Sequence, residues 1–342
     1  MRTKGLLGLL LVTLAAVIAA VLVSTGGGAP AGEPQANAAV LPEMGKRLGD
    51  VARVTLVHGD SKTTLLRHDK EWGVEEKGGY PVDFGKLRQT LLGLAELRFV
   101  EPKTRKAEFY PRFEVEDAGQ KDAKSTLVTV SDDKNALLGE IIIGKRRYDE
   151  LGGGVDGIYV RKPGDAQSWL ASGSLDLPGT TQAWLKRGIV DIPADQVKEA
   201  VLTQPDGAKL VIAREKAGDK AALKDAPQDT KLKSDDALSE PLGALANLDM
   251  SDVRPAAQMP FPNEGVTQAV YTSFAGLTVT ATLIEKDGAH WARFSASGSG
   301  EAEKQAVSLN AKLSPWVFGL SETKAKALST KLADVVAPPK SS

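Results

Sequence analysis

Asp83-Phe84-Gly85-Lys86-Leu87-Arg88-Gln89-Thr90-Leu91-Leu92-Gly93-Leu94-Ala95-Glu96-Leu97 reads as a capped amphipathic helix. Asp83, with Pro81 just before it, is a cap residue whose carboxylate accepts from the unpaired N–H groups of a first helical turn. Phe84, Leu87, Leu91 and Leu94 fall at i, i+3, i+7 and i+10, which is one apolar stripe. Gly85 and Gly93 weaken such a helix without abolishing it. The stripe then recurs. Leu87, Leu91, Leu94, Ala95 and Leu97 align with Leu238, Leu242, Leu245, Ala246 and Leu248, all at an offset of 151. Ser234-Asp235 stands where Asp83-Phe84 stands in the first copy. Pro241 lies inside the second stripe and is expected to shift the start of its helix.

The flanking segments repeat in the same order. Upstream of the first helix, Val51 to Arg67 alternates as two strands about a His58-Gly59-Asp60-Ser61 turn, and Trp72-Gly73-Val74 suggests a third. Downstream, Leu127–Val130, Leu138–Ile143, Gly157–Arg161 and Ser168–Leu170 read as an antiparallel meander. Val197–Leu202, a Pro205-Asp206-Gly207 turn and Lys209–Arg214 repeat the first hairpin 146–147 residues later. Tyr159, Val160 and Arg161 align with Trp291, Ala292 and Arg293 at an offset of 132, and Trp184 aligns with Trp316 at the same offset. A shared order of hairpin, helix and meander points to an internal duplication. The expected fold class is α+β, two tandem related modules of antiparallel sheet plus helix, each with its own core, behind an N-terminal transmembrane helix. The modules are placed at 40–190 and 191–336, followed by a tail at 337–342. A charged stretch at 215–240 interrupts the second module. Twelve of its 26 residues are charged and it holds no aromatic, Val or Ile, so it is expected as a disordered insertion. At the end of the chain, Ser321 is a helix cap ahead of a stripe at Ala325, Leu328, Leu332 and Val335.

Ahead of the modules, Arg2 and Lys4 form a short basic tip at 1–4, followed by an apolar run at 5–23 whose only polar side chain is Thr13. Nineteen helical residues span roughly 28 Å, close to a hydrocarbon core of about 30 Å. Basic residues ahead of the run are expected to stay cytoplasmic, which places the bulk of the chain in the periplasm of a bacterial cell. A cleaved signal segment is the competing reading, with Ala36-Asn37-Ala38 as its cleavage site. Residues 24–39, rich in Gly, Ala and Pro, read as a flexible tether.

Composition narrows the chemistry. The 342 residues hold no cysteine, which excludes a disulfide scaffold, a thiol enzyme, an iron–sulfur cluster and a lipoprotein anchor. With 43 basic and 44 acidic residues, the chain lacks the basic excess of a nucleic-acid binder. The three histidines, His58, His68 and His290, have no metal-ligand spacing. Gly45-Lys46, Gly85-Lys86 and Gly144-Lys145 lack the Ser or Thr of a phosphate loop, and Gly152-Gly153-Gly154 does not open a helix. Ser321-Glu322-Thr323-Lys324 lacks the companion motifs of a Ser-x-x-Lys enzyme. Glu114, Glu116 and Asp117, and Asp132 with Asp133, lack calcium-loop spacing and read as turn carboxylates. The sequence therefore predicts no catalytic, cofactor-binding or metal residue and no cofactor. Trp184 and Trp316 are the singled-out aromatics, as core residues or as a ligand platform.

Several segments resemble the DUF4340 family of bacterial envelope proteins: Leu41-Pro42 with Asp50–Val54, Trp72 with Gly79-Tyr80-Pro81-Val82, Leu91–Leu94, Gly157–Arg161, Trp184-Leu185 and Leu313-Ser314-Pro315-Trp316-Val317. The resemblance implies an envelope protein associated with ABC-type export systems like those of gliding motility, and carries over no functional residue. The resulting expectation is a single-pass inner-membrane protein with no enzymatic role, acting as an interaction or scaffold component. Its expected partners are the inner membrane, an ABC permease or another envelope subunit, with no nucleic acid. The alternative is an exported small-ligand or polymer-binding protein, or a hydrolase, with a site between the modules.

Overall fold

The computed structural model describes residues 36–338 apart from 225, 228 and 229. Among these residues no helix is long and apolar enough to cross a membrane. The expected anchor at 5–23 and most of the tether lie outside the described residues.

The lead-in forms a one-turn helix α1 (Pro42–Lys46), which buries Met44. β1 (Val51–His58), β2 (Ser61–His68), β3 (Glu71–Val74) and β4 (Tyr80–Pro81) follow as successive antiparallel neighbours. Then come α2 (Phe84–Glu96), β5 (Arg98–Pro102), a short helix α3 (Tyr110–Phe113), β6 (Thr126–Asp132), β7 (Leu137–Arg147), β8 (Gly157–Arg161) and β9 (Ser168–Ser172). They make a nine-stranded sheet in the order β4-β3-β2-β1-β6-β7-β8-β9-β5. Alternation in the sequence marks the hairpin and the meander but not β5, which crosses from the helix to the far edge beside β9.

A connector strand β10 (Gly188–Val190) leads to β11 (Val197–Thr203), β12 (Lys209–Ala213), β13 (Ala222–Leu223), α4 (Ser239–Leu242), β14 (Leu248–Asp249) and β15 (Asp252–Pro255). The chain continues through β16 (Thr267–Ser273), β17 (Thr278–Lys286), β18 (Ala289–Ser297), α5 (Glu301–Leu313), β19 (Trp316–Leu320), α6 (Glu322–Leu328) and α7 (Leu332–Val335). The second sheet has eight strands in the order β13-β12-β11-β16-β17-β18-β19-β15. Apart from β4, the two orders connect their strands in the same sequence.

Local details coincide as well. The β1/β6 pair shifts register between Val51 and Arg53, and the β11/β16 pair shifts between Val197 and Glu199. Both following hairpins are closed by a side chain. Asp132 Oδ1 accepts from the Ala136 and Lys134 N–H groups at 2.8 and 3.0 Å. Ser273 Oγ accepts from the Leu277 N–H at 3.1 Å. The Ala136 N–H and the Arg47 guanidinium at 2.9 Å hold the Asp132 carboxyl below the usual carboxylate range.

Two expected helices differ from their stripes. In α2, Asp83 caps as predicted, accepting from the Lys86 N–H at 3.1 Å. Leu87 and Leu94 are buried, but Phe84 is 60% exposed, because the first residue of the helix lies past the covered face. Gly93 is required by packing, since a Cβ there would come within 2.6 Å of the Ser174 carbonyl oxygen. The second helix is a single turn. Proline is tolerated only in a first helical turn, because deeper in a helix its ring clashes with a preceding carbonyl. Pro241 therefore confines the helix to its own neighbourhood, and its carbonyl accepts from the Tyr271 hydroxyl at 2.8 Å. Leu238, Leu242, Leu245 and Leu248 are nonetheless all buried.

Three further differences are local. The 215–240 stretch contributes β13, which pairs with β12 through Ile212↔Leu223 and Ala213↔Ala222, so it extends the sheet edge and half-buries Leu223 while Ala222 stays exposed. The C-terminal stripe is split into α6 and α7, with Leu332 40% exposed. Helix α5 is an element that the sequence reading lacks. Its signals are Glu301 and Glu303 in the first turn and the spacing of the buried Ala302, Ala306 and Leu313.

The core is continuous. Val128, Ile141 and Leu94 from the first half join Ala200, Leu245 and Val279 from the second through Trp184, Leu185, Ile189 and Val190 of the connector. This differs from the two separate cores expected, because the connector's apolar residues fill the seam between them.

Candidate functional site

The seam opens on one side into a cleft of about 900 Å³. One wall is β3, β4 and the start of α2, with Trp72, Tyr80 and Phe84. The floor is the connector at Lys186, Arg187 and Ile189, and the far wall is α5 with Trp316. On α5, Ser308, Ala311 and Lys312 are spaced i, i+3 and i+4, so they share one helix face.

Tyr80 joins the halves at the base. Its ring meets Trp316 edge-on, with centroids 5.0 Å apart, and meets Phe318 at 6.2 Å. Its hydroxyl donates to the Lys186 carbonyl at 3.0 Å. Burial pushes the Tyr80 hydroxyl up to about 12, so it stays protonated at neutral pH and is a donor, not a base. Beside it, Gly78 has φ +67°, and a Cβ there would lie 2.6 Å from Pro255 Cγ. Both facts demand glycine at this approach of the two halves. Lys77 Nζ and Asp252 Oδ1 close the same junction at 2.5 Å.

The connector is stitched to both sides. The Asp83 N–H donates to the Trp184 carbonyl at 2.7 Å and the Lys186 N–H to the Pro81 carbonyl at 3.0 Å. On the other side β10 pairs with β14, the Met250 N–H donates to the Arg187 carbonyl at 3.1 Å and the Ile192 N–H to the Leu245 carbonyl at 3.1 Å.

Cations outnumber acids around the opening. Lys70, Lys186, Arg187 and Lys312 face Glu71 and Asp83. Asp83 is engaged in capping α2, and Arg187 reaches Asp249 at 3.1 Å. Aromatic rings, small residues and ammonium groups suit binding of an anionic ligand with flat apolar faces.

The singled-out tryptophans occupy different kinds of position. Trp184 ends a 3-10 turn, Thr181–Trp184, and is fully buried. Trp316 opens β19, is half-buried and lines the cleft. The offset of 132 pairs them, but the sheets do not. Pro255 faces Trp316 across β15/β19, and Pro102 faces Trp169 across β5/β9, so Trp169 is the residue placed like Trp316. Sequence reasoning misses Lys70, Phe84, Lys312 and Tyr80 as cleft residues, because the stretch that holds Lys70, Tyr80 and Phe84 meets Lys312 of α5 only in the folded chain. The Gly79-Tyr80-Pro81-Val82 run is the available signal.

Several other chemistry-bearing residues have structural partners, whereas one Glu116 carboxylate oxygen is buried without one. His58 Nδ1 lies 3.0 Å from the Ser125 carbonyl, Arg161 pairs with Asp117 and stacks on Tyr110, and Ser321 accepts from the Lys324 N–H at 3.3 Å. Among the described residues no group of three His, Asp or Glu is placed to hold a metal ion.

No curated protein matches the chain. Residues 72–268 match the family described as Domain of unknown function (DUF4340). That span runs from β3 into β16 and includes the first wall and floor of the cleft, but not α5 or Trp316. It covers more than half of the sequence, and the chain belongs to the DUF4340 family.

Proposed function

We propose that this chain is a membrane-anchored accessory protein of the bacterial envelope, a non-enzymatic binding or scaffold component of an ABC-type export system. On this reading residues 5–23 anchor it in the inner membrane, 24–39 form the tether, whose end is bridged to β5 through Ala39↔Arg98, and the folded body works in the periplasm. The body consists of two tandem copies of one α+β module. The shared strand order, the matching register shifts and the equivalent hairpin closures support that duplication.

The observation that carries the binding role is the cleft between the halves, with rings from both sheets and cations on its rim. Clefts between domains are favoured ligand sites. The location rests on Arg2, Lys4 and the apolar run that follows. The association with an export system rests on the family resemblance.

Two measurements test this reading. The intact chain should pellet with the membrane fraction, and protease added to spheroplasts should digest its body; a protected body would overturn the location. Affinity purification of the full chain should recover an ABC permease subunit above a control carrying only residues 1–39. Equal recovery by that control would overturn the scaffold role.

A further inference from the structure

We propose that the cleft binds a carboxylated glycan segment, with pyranose faces on Phe84, Trp72 and Trp316 and carboxylates on Lys70, Lys186 and Lys312. This inference rests on the reading of the cleft as a binding site.

Main-chain groups of the cleft argue against an extended peptide as occupant. The N–H groups of Val82, Asp83 and Lys186 donate internally, to Trp72, Trp184 and Pro81. The Lys186 carbonyl is taken by Tyr80. A peptide adding as a strand needs such groups on an open edge. Here β4 is already bridged through Val82↔Leu185, so recognition falls to side chains. Rings and primary ammonium groups dominate those side chains, beside Arg187 and the carboxylates of Glu71 and Asp83. Rings offer apolar faces to the C–H faces of sugars, and lysines pair with carboxylates through charge-assisted hydrogen bonds. Phe84 supports this assignment most directly. It is 60% exposed at the mouth, where neither helix packing nor the core accounts for it. The small residues Gly79, Gly188 and Ala311 along the lining let a ring approach the backbone closely.

The test is a titration of the full chain in detergent micelles at low salt, read by tryptophan fluorescence and calorimetry. Tetragalacturonate should bind saturably, and neutral maltotetraose about tenfold or more weaker, a step of roughly 1.4 kcal/mol. Phe84→Ala, and Lys70→Glu combined with Lys312→Glu, should each weaken tetragalacturonate binding by about tenfold. All three sites are exposed, and unchanged circular dichroism would show that the variants are folded. Absence of saturable binding, or binding insensitive to both variants, would overturn the proposal. A dodecameric glutamate peptide that binds as tightly as tetragalacturonate would overturn the glycan assignment while leaving the cleft a binding site. Permease recovery uses no glycan, so failure of the accessory role is read separately.

Discussion

Thirteen residues of helix, Phe84–Glu96, cover the first sheet, whereas one turn, Ser239–Leu242, stands at the corresponding place over the second. Yet both segments bury leucines at the same spacing. Leu87, Leu94 and Leu97 have their counterparts in Leu238, Leu245 and Leu248, and all six are buried. The comparison separates two properties that a sequence stripe merges. The need to cover a sheet fixes which positions are apolar. Whether the backbone between them is helical depends on single residues, here Gly93 tolerated inside α2 and Pro241 limiting α4.

The largest effects should come from the shared leucines. Leu94→Ala and Leu245→Ala should each cost about 2–5 kcal/mol. Because the core is continuous, each should shift one cooperative denaturant transition of the whole body. Two separate transitions, each sensitive to only one variant, would break the picture of a joined core. Gly93→Ala tests the helix side alone. Its added methyl meets the Ser174 carbonyl, and a loss of about 1–3 kcal/mol is expected despite the better helix propensity of alanine.

Tyr271→Phe tests the other side. Removing the hydroxyl leaves the buried Pro241 carbonyl unpaired, at a cost of about 1–3 kcal/mol in thermal or chemical unfolding. An unchanged midpoint would show that the hydroxyl does not hold the short turn. Asp83→Ala should cost about 0.5–2 kcal/mol through loss of the cap. No similar loss is available at α4, whose capping position is Leu238 with no side-chain cap bond.

The smallest effect distinguishes the two hairpins. Asp132 titrates and Ser273 does not. The Asp132 carboxyl is held below its unfolded value, so its contribution is complete above about pH 4 and is lost as the pH falls through the lower folded value. Amide exchange at Ala136 should therefore quicken, relative to the intrinsic rate, on acidification below about pH 4. Leu277 should show no comparable change. In Asp132→Asn the contrast should disappear.

Much of the architecture is legible from the residues. Alternation marks β1, β2 and the meander, and Asp83 and Ser321 announce the caps they form. The misreadings share a cause. Phe84 matches the stripe in sequence, but the sheet ends before it, so it faces the cleft. β5 and β13 are short strands identified by their neighbours, not by their own alternation. The pairing of Trp184 with Trp316 comes from one constant offset, whereas the sheets differ in loop length and place Trp169 opposite Pro102 instead. The cleft gives no local signal because Lys70, Lys186 and Lys312 meet only when three distant segments converge.

The connector from Trp184 to Ile192 has a kinetic consequence. It is bonded to β4 and the α2 cap on one side and to β14 on the other, so widening the cleft requires breaking several hydrogen bonds together. The cleft is accordingly a fixed aperture. A ligand enters it without waiting for a gate, its arrival is set by encounter frequency, and its residence time is set by the contacts it makes once inside.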